Sequence, residues 1–94
     1  MPELPKDAPI TVVPDWVCEI LSASTRRHNL LVKKPYYAKI GVRHHWIADL
    51  EAQTVTAYRL QEGLWIELRT YGDEHDARID PFAEISLDVA SWWT

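Results

Sequence analysis

The chain has 94 residues, of which 47% are hydrophobic, with a formal net charge of −4 at pH 7 and a single cysteine. This length gives one domain with a modest core, and the lack of any apolar run near ~18 residues excludes a membrane span and a signal peptide. One cysteine excludes a disulfide framework and the negative charge argues against a bulk nucleic-acid binder, so we expect a reduced, cytoplasmic protein with no membrane partner.

The first fourteen residues hold four of the six prolines and show no hydrophobic periodicity. Such a segment is typical of extended chain without regular structure. We therefore divide the sequence into an extended lead-in over residues 1–14 and a single domain over residues 15–94.

The segment Trp16–Leu21 predicts a β-strand in the centre of a sheet, because its residues are apolar on both faces apart from Glu19. An ionised carboxylate in a buried strand is costly unless a cation compensates it. Lys33 is the candidate, and we predict that its ammonium lies within ~6 Å of the Glu19 carboxylate. The pair indicates either a chemical site or a structural ion pair; a carboxylate that reaches solvent at the strand end is a further alternative.

A helix is predicted over Leu30–Ile40, with Asn29 as its N-cap and Gly41 as its C-terminal stop. Pro35 conflicts with a regular helix, because proline lacks the amide hydrogen and clashes with the preceding turn. The regular part of the helix must therefore begin late, near Lys34, or kink there.

The rest of the chain alternates between strand patterns and turn signals. We predict strands over residues 43–48, 54–60 and 64–71, a hairpin turn over 61–63, an acidic loop over 72–80 and a short closing helix over 87–93. The fold class is therefore α/β, with a mixed sheet of four strands, flanking helices and the segment Leu30–Ile40 packed across the sheet.

Metal binding at Glu19 requires a partner that the strand itself cannot supply. Asp15 shares the strand face, but four residues at ~3.3 Å each separate the two Cα atoms by ~13 Å, whereas ligands lie within ~2–2.6 Å of a divalent ion. A second carboxylate has to come from a neighbouring strand. Upstream of Asp15 the sequence offers only Glu3 and Asp7.

An ordered series of motifs runs along the chain: PDWVCEILS over residues 14–22, STRRHNL over 24–30, Lys33, Tyr37, Gly41-Val42, WIAD over 46–49, and a TVTAYR strand. This series resembles the Uma family of putative restriction endonucleases, over about residues 8–94. Members of that family have the restriction-endonuclease-like fold of the PD-(D/E)xK nuclease superfamily.

The resemblance implies phosphodiester hydrolysis with Mg²⁺ or Mn²⁺ as cofactor. It implies that Glu19 is a catalytic residue and metal ligand, and that Lys33 is the catalytic lysine. The superfamily often places this lysine two residues after the acid, where the chain has Leu21.

The basic zone that follows Glu19 fits such a site. Between Ile20 and Ala48 there is no Asp or Glu, while six of the ten Lys and Arg residues fall there. Beside a site that cuts phosphodiesters, these side chains are candidates for contacts with DNA phosphates; the alternative is a solvated basic surface. The candidates are Arg26, Arg27 and Lys34.

Two departures from the family pattern stand out. The usual Asp before the helix is Asn29 in this chain. Family members are also about twice as long, with an N-terminal portion that carries the first metal-binding Asp. We therefore expect the C-terminal half of the family fold, a truncated restriction-endonuclease-like core with an incomplete site.

Two function hypotheses follow. In the first, the chain is an endonuclease-family protein that acts on nucleic-acid phosphodiesters through an incomplete Mg²⁺ site, with DNA as partner. In the second, it is a non-catalytic interaction module that self-associates as a homodimer, because half of a two-sided fold leaves apolar surface to cover.

Overall fold

The protein is described by a computed structural model over residues 13–93. The lead-in predicted over residues 1–14 therefore lies almost entirely outside the described residues. No helix in the described part is long and apolar enough to cross a membrane. The regular elements are β1 (Trp16–Leu21), α1 (Arg26–His28), a π turn (Asn29–Lys33), α2 (Lys34–Ile40), β2 (His44–Asp49), β3 (Thr54–Gln61), β4 (Leu64–Tyr71) and a 3₁₀ helix (Val89–Trp93).

The four strands form one mixed sheet in the order β1-β2-β3-β4. β1 and β2 are parallel and are joined by the helical crossover, whereas β2–β3 and β3–β4 are antiparallel hairpins. The predicted α/β class and four-stranded mixed sheet are confirmed. The predicted bounds of β2, β3 and β4 agree with the structure to within one residue at either end.

The predicted central position of Trp16–Leu21 is wrong. Within residues 13–93, β1 pairs with β2 alone and lies at the edge of the sheet. Its apolar pattern has another cause. The helical segment, residues 26–40, covers one face of the strand at Val17, and the C-terminal tail, residues 72–93, packs against Trp16 and Cys18 on the other face, where Ile20 is exposed. Burial of two faces does not require hydrogen bonding along two edges.

The sheet is packed on both sides. On the helix side, the buried residues Val17, Tyr37 and Val42 form a small cluster. On the other side, the tail inserts Ile79 and Val89, both fully buried, against the central strands. The tail was predicted as an acidic loop and a helix over 87–93; the structure has a loop, an isolated Ala77–Leu87 bridge and a shorter 3₁₀ helix.

The crossover is one helical segment with a π turn in its middle. The amide of Lys34 donates to the carbonyl of Asn29, five residues back, and Pro35 follows in the first turn of α2. Proline cannot donate the amide hydrogen of an inner helical turn and its ring clashes with the turn before it, and the change from the π turn to α2 falls at this point of the segment. The late start of the regular helix near Lys34 is thus confirmed, as is the stop at Gly41, whose φ of 88° is left-handed.

The predicted N-cap at Asn29 is wrong. The helical segment starts at Arg26, after Thr25, so Asn29 lies inside it. Asn29 is buried, and its Nδ2 donates to the carbonyl oxygen of Ile20 at 3.4 Å. The side chain thereby ties the π turn to the end of β1 instead of capping a helix.

Candidate active site

Glu19 points from β1 toward the helical segment. Its strand neighbours on the same face, Val17 and Leu21, are each 3% exposed. The Glu19 side chain is 12% exposed. The alternation of the strand therefore holds a carboxylate beneath the helix, where it needs partners.

Lys33 is the first of these partners. Its Nζ lies 3.6 Å from Oε2 of Glu19, which confirms the predicted proximity. The Lys33 side chain is 43% exposed, so it reaches the carboxylate from the solvent side. Water screens a pair of this kind, and its contribution to stability is correspondingly small.

Tyr37 is the second partner, and sequence reasoning did not assign it a role. Its hydroxyl donates a hydrogen bond to Oε1 of Glu19, and the residue is almost fully buried. Burial, followed by the hydrogen bond and the charge of Glu19, raises the pKa of Tyr37. The hydroxyl therefore stays protonated and remains a donor at neutral pH. The signal in the sequence was its spacing of four residues from Lys33.

His45 lies on β2, against the ring of Tyr37, and is 1% exposed. Its ring makes an edge contact with Tyr37 at 5.4 Å and a tilted contact with Trp65 at 5.3 Å between ring centroids. Burial, aided by the charge of Lys34 and opposed by Glu19, lowers the pKa of His45 to about 4. Neither ring nitrogen has a hydrogen-bond partner within residues 13–93. His45 is thus a neutral, packed side chain under the site.

The three predicted nucleic-acid contacts are not brought together with Glu19. Arg26 Nη2 bonds Asp49 Oδ2 at 2.8 Å, and this hydrogen bond is the main cause of a lowered pKa of Asp49. Lys34 Nζ lies 3.7 Å above the Tyr58 ring, and burial lowers the pKa of Lys34. Arg27 is exposed at the surface. Two of the three cations therefore already contact other side chains of this chain, Asp49 and Tyr58.

The described residues do not by themselves fit a Mg²⁺ ion. Within residues 13–93, no group of three or more His, Cys, Asp or Glu side chains is placed to hold a metal. The register sets Glu19 opposite Ile47, and Asp49, which lies opposite Leu21, is bonded to Arg26 instead. Asp15 is 82% exposed beside Arg43. Glu19 is therefore the one carboxylate of this site in the described part of the chain.

Comparison with known proteins gives a family and a fold. Residues 2–90 match the Uma2 family, described as putative restriction endonuclease. Among solved structures, the chain is similar to a putative nuclease belonging to DUF820 from Anabaena variabilis ATCC 29413, with 28% identity and a TM-score of 0.60. The match covers 87% of this chain and 45% of that one, so the chain spans less than half the length of this relative. No curated protein matches the chain.

Proposed function

Because the chain belongs to the Uma2 family of putative restriction endonucleases, we propose that it takes part in the hydrolysis of nucleic-acid phosphodiesters with Mg²⁺ or Mn²⁺ as cofactor. The observation that carries this proposal is the Glu19–Lys33 pair, with 3.6 Å between Nζ and Oε2. A carboxylate held beneath a helix is a suitable ligand for a hard cation, and an adjacent ammonium is suited to an anionic phosphate.

The proposal gives each of the two residues one role. Glu19 would supply one ligand oxygen to the ion, and Lys33 would stabilise negative charge on the phosphate. Mg²⁺ in nucleotide-processing sites is commonly held by one or two carboxylates together with substrate phosphates. The proposed site therefore needs either the substrate or a carboxylate from outside residues 13–93.

The test is metal-dependent DNA binding, measured by fluorescence anisotropy of a labelled duplex. We expect tighter binding in Mg²⁺ than in EDTA for the unaltered chain. This difference should be lost in Glu19→Gln and retained in the matched control Glu62→Gln, which alters an exposed carboxylate in the β3–β4 turn. Equal binding in Mg²⁺ and EDTA by the unaltered chain would contradict the proposal.

Cleavage is the second measurement. With one carboxylate in the site, we expect this chain alone to leave plasmid DNA intact in Mg²⁺ or Mn²⁺. If the unaltered chain cleaves the plasmid and Glu19→Ala does not, the expectation of an incomplete site is wrong and the nuclease function is supported.

We also propose that the chain self-associates as a homodimer, and that this is its role if the binding test fails. The specific observation is the edge position of β1 within the described residues. Unpaired amide and carbonyl groups along a strand edge favour pairing with a second strand. Ile20, on the same strand, is 59% exposed.

A further inference from the structure

We infer that the groove between α2 and the β3–β4 hairpin binds one unpaired nucleotide of a single-stranded nucleic acid, with the base against Leu64 and Trp65 and the phosphate at Lys39. The choice of nucleic acid as the ligand rests on the function proposed above. The groove itself involves neither Glu19 nor a metal ion, so it can be tested separately from them.

The groove has a helical wall and a hairpin wall. Its volume is about 440 Å³, which lies within the range of about 300–1,000 Å³ that is usual for small-molecule sites. None of the described residues that line it is acidic. The side chains that form the two walls are Lys34, Pro35, Ala38 and Lys39 of α2 and Leu64 and Trp65 of the hairpin.

The hairpin wall offers an aromatic ring that is held in place. Nε1 of Trp65 donates to the carbonyl oxygen of Lys34 at 2.9 Å, and the indole lies 5.3 Å from the buried ring of His45. A base that stacks on a ring already ordered loses little further freedom in the protein. Next to it, Leu64 is 68% exposed, and covering such apolar surface with a flat ring is favourable.

The helical wall supplies the positive charge. Nζ of Lys34 lies over the ring of Tyr58, so its ammonium already has a partner. Lys39 is exposed and makes no ion pair within residues 13–93. The sequence from Ile20 to Ala48, which includes this wall, has no Asp or Glu. Lys39 is therefore the ammonium of the groove that is open to an anion.

An apolar wall beside one free ammonium favours a ligand with a flat apolar part next to an anionic group. An unpaired nucleotide has both, because its base can leave the stack while its phosphate stays charged. In a duplex the bases are paired and stacked, so mainly the phosphates would reach the groove. A peptide with an aromatic residue beside an acidic one shares these features, but membership of a family of putative restriction endonucleases favours nucleic acid.

The first test measures binding to a labelled oligothymidylate of about fifteen nucleotides by fluorescence anisotropy in EDTA. We expect the unaltered chain to bind this single strand more tightly than a blunt duplex of similar length. Lys39→Glu should weaken single-strand binding by about tenfold and lower the slope of log affinity against log salt by about 0.7, as for the loss of one phosphate contact. The control Arg59→Glu makes the same charge change at an exposed position of β3 and should keep the slope.

The second test concerns the apolar wall. Leu64→Glu places a carboxylate beside the base and should weaken single-strand binding by about fivefold or more, the effect of losing a stacked base. The matched control is Leu50→Glu, at a leucine that is 52% exposed beside the β2–β3 turn, and it should bind like the unaltered chain. Because both leucines are exposed, we expect both variants to fold.

The third test is tryptophan emission, which a stacked base quenches. Oligothymidylate should quench the emission of the unaltered chain and of Trp92→Phe, which alters a tryptophan that is 44% exposed in the 3₁₀ helix. The quenching should be lost in Trp65→Phe. Quenching that survives in Trp65→Phe would overturn the inference, as would equal affinity for single strand and duplex or equal salt slopes in Lys39→Glu and Arg59→Glu.

A competitor separates nucleic acid from peptide. A peptide of alternating Glu and Tyr should fail to displace the oligothymidylate when its charge concentration is the same. Displacement by this peptide would overturn the nucleotide assignment and indicate a general site for acidic aromatic ligands.

The outcomes also separate the groove from the proposed site at Glu19, because all of these measurements are made in EDTA. If the single-strand preference is present and duplex binding does not depend on Mg²⁺, the groove stands and the metal-dependent function fails. If duplex binding depends on Mg²⁺ and the single-strand preference is absent, only the groove is overturned.

Discussion

At Glu19, the burial of a single carboxylate is balanced by two partners of different character. Tyr37 donates a hydrogen bond from the packed side, and Lys33 supplies a positive charge from the solvent side. The raised pKa of Tyr37 keeps its phenol protonated, so the hydroxyl remains a donor to the carboxylate. The Glu19 carboxylate is thus held between a hydroxyl on its packed side and an ammonium on its solvent side.

The first prediction concerns the ionisation of Tyr37. Its pKa is raised by burial and by the hydrogen bond and charge of Glu19. Replacement of Glu19 by Gln removes the charge, so the pKa of Tyr37 should fall toward the ordinary value of ~10. Ultraviolet titration of tyrosinate should show one further tyrosine ionising below the alkaline unfolding of the protein. An identical titration of the two proteins would contradict the assignment, and Tyr37→Phe identifies the signal.

The second prediction concerns His45 and acid stability. A folded-state pKa of about 4, below the unfolded value of 6.5, means that the unfolded chain binds more protons between these values. His45 therefore contributes stability that is fully present above pH 6.5 and is lost as the pH falls toward 4. The slope is at most about 1.4 kcal/mol per pH unit.

Thermal unfolding at pH 7 and pH 5 measures this contribution. The fall in Tm between the two pH values should be smaller in His45→Leu than in the unaltered chain. The control His28→Leu, at an exposed position, should keep the full fall. An unchanged fall in His45→Leu would contradict a contribution of His45 to the acid response.

At the scale of elements, the helical crossover is tied to β1 by the buried Asn29. Its Nδ2 faces the carbonyl oxygen of Ile20. The carboxylate of an aspartate at this position would have no proton to donate. Its oxygens would face the carbonyl oxygen of Ile20, which is also an acceptor. An amide side chain at position 29 can donate to this carbonyl, and it therefore suits the packing of the π turn against β1.

The third prediction follows from that contact. Asn29→Asp should destabilise the chain at neutral pH by about 1–3 kcal/mol, the cost of an unsatisfied buried polar group. Asn29→Ala should cost less, because it removes the donor without adding a charge. Urea unfolding of the three proteins checks this order, and an Asp variant as stable as the original would contradict it.

Sequence patterns identified the strands because alternation and turn residues are local properties. The Glu19–Lys33 contact was predictable for a related reason: a buried carboxylate needs a cation, and the next helix offered one. The π turn was not predictable, because it is recognised by a hydrogen bond between Lys34 and Asn29 and not by residue type. The edge position of β1 was not predictable, because an apolar pattern reports only that the faces of a strand are covered. An edge strand covered by the tail and a central strand show the same pattern.

At the scale of the whole molecule, the sheet has two edge strands within the described residues, β1 and β4. Both carry exposed apolar side chains, with Ile20 on β1 at 59% and Leu64 on β4 at 68%. The proposed homodimer uses β1. Substitutions at these two positions can therefore test which edge of the sheet forms the dimer.

The fourth prediction is that the chain is a dimer at tens of micromolar and that a charge on β1 disrupts it. A lysine on an edge strand opposes pairing between edges. Ile20→Lys should give a monomer mass by light scattering, and Leu64→Lys should leave the dimer intact. A monomer mass for the unaltered chain would rule out the association, and dissociation by Leu64→Lys alone would move the interface to β4.

The C-terminal tail also governs the order in which the protein can fold during synthesis. The sheet side lined by Trp46, Val55 and Ala57 is closed by Ile79 and Val89, which the ribosome makes last among these residues. Within residues 13–93, that side cannot be closed until positions 79 and 89 have been made and have left the ribosome. Until then, any apolar sheet surface that the emerged strands form is open to chaperones that bind such surfaces.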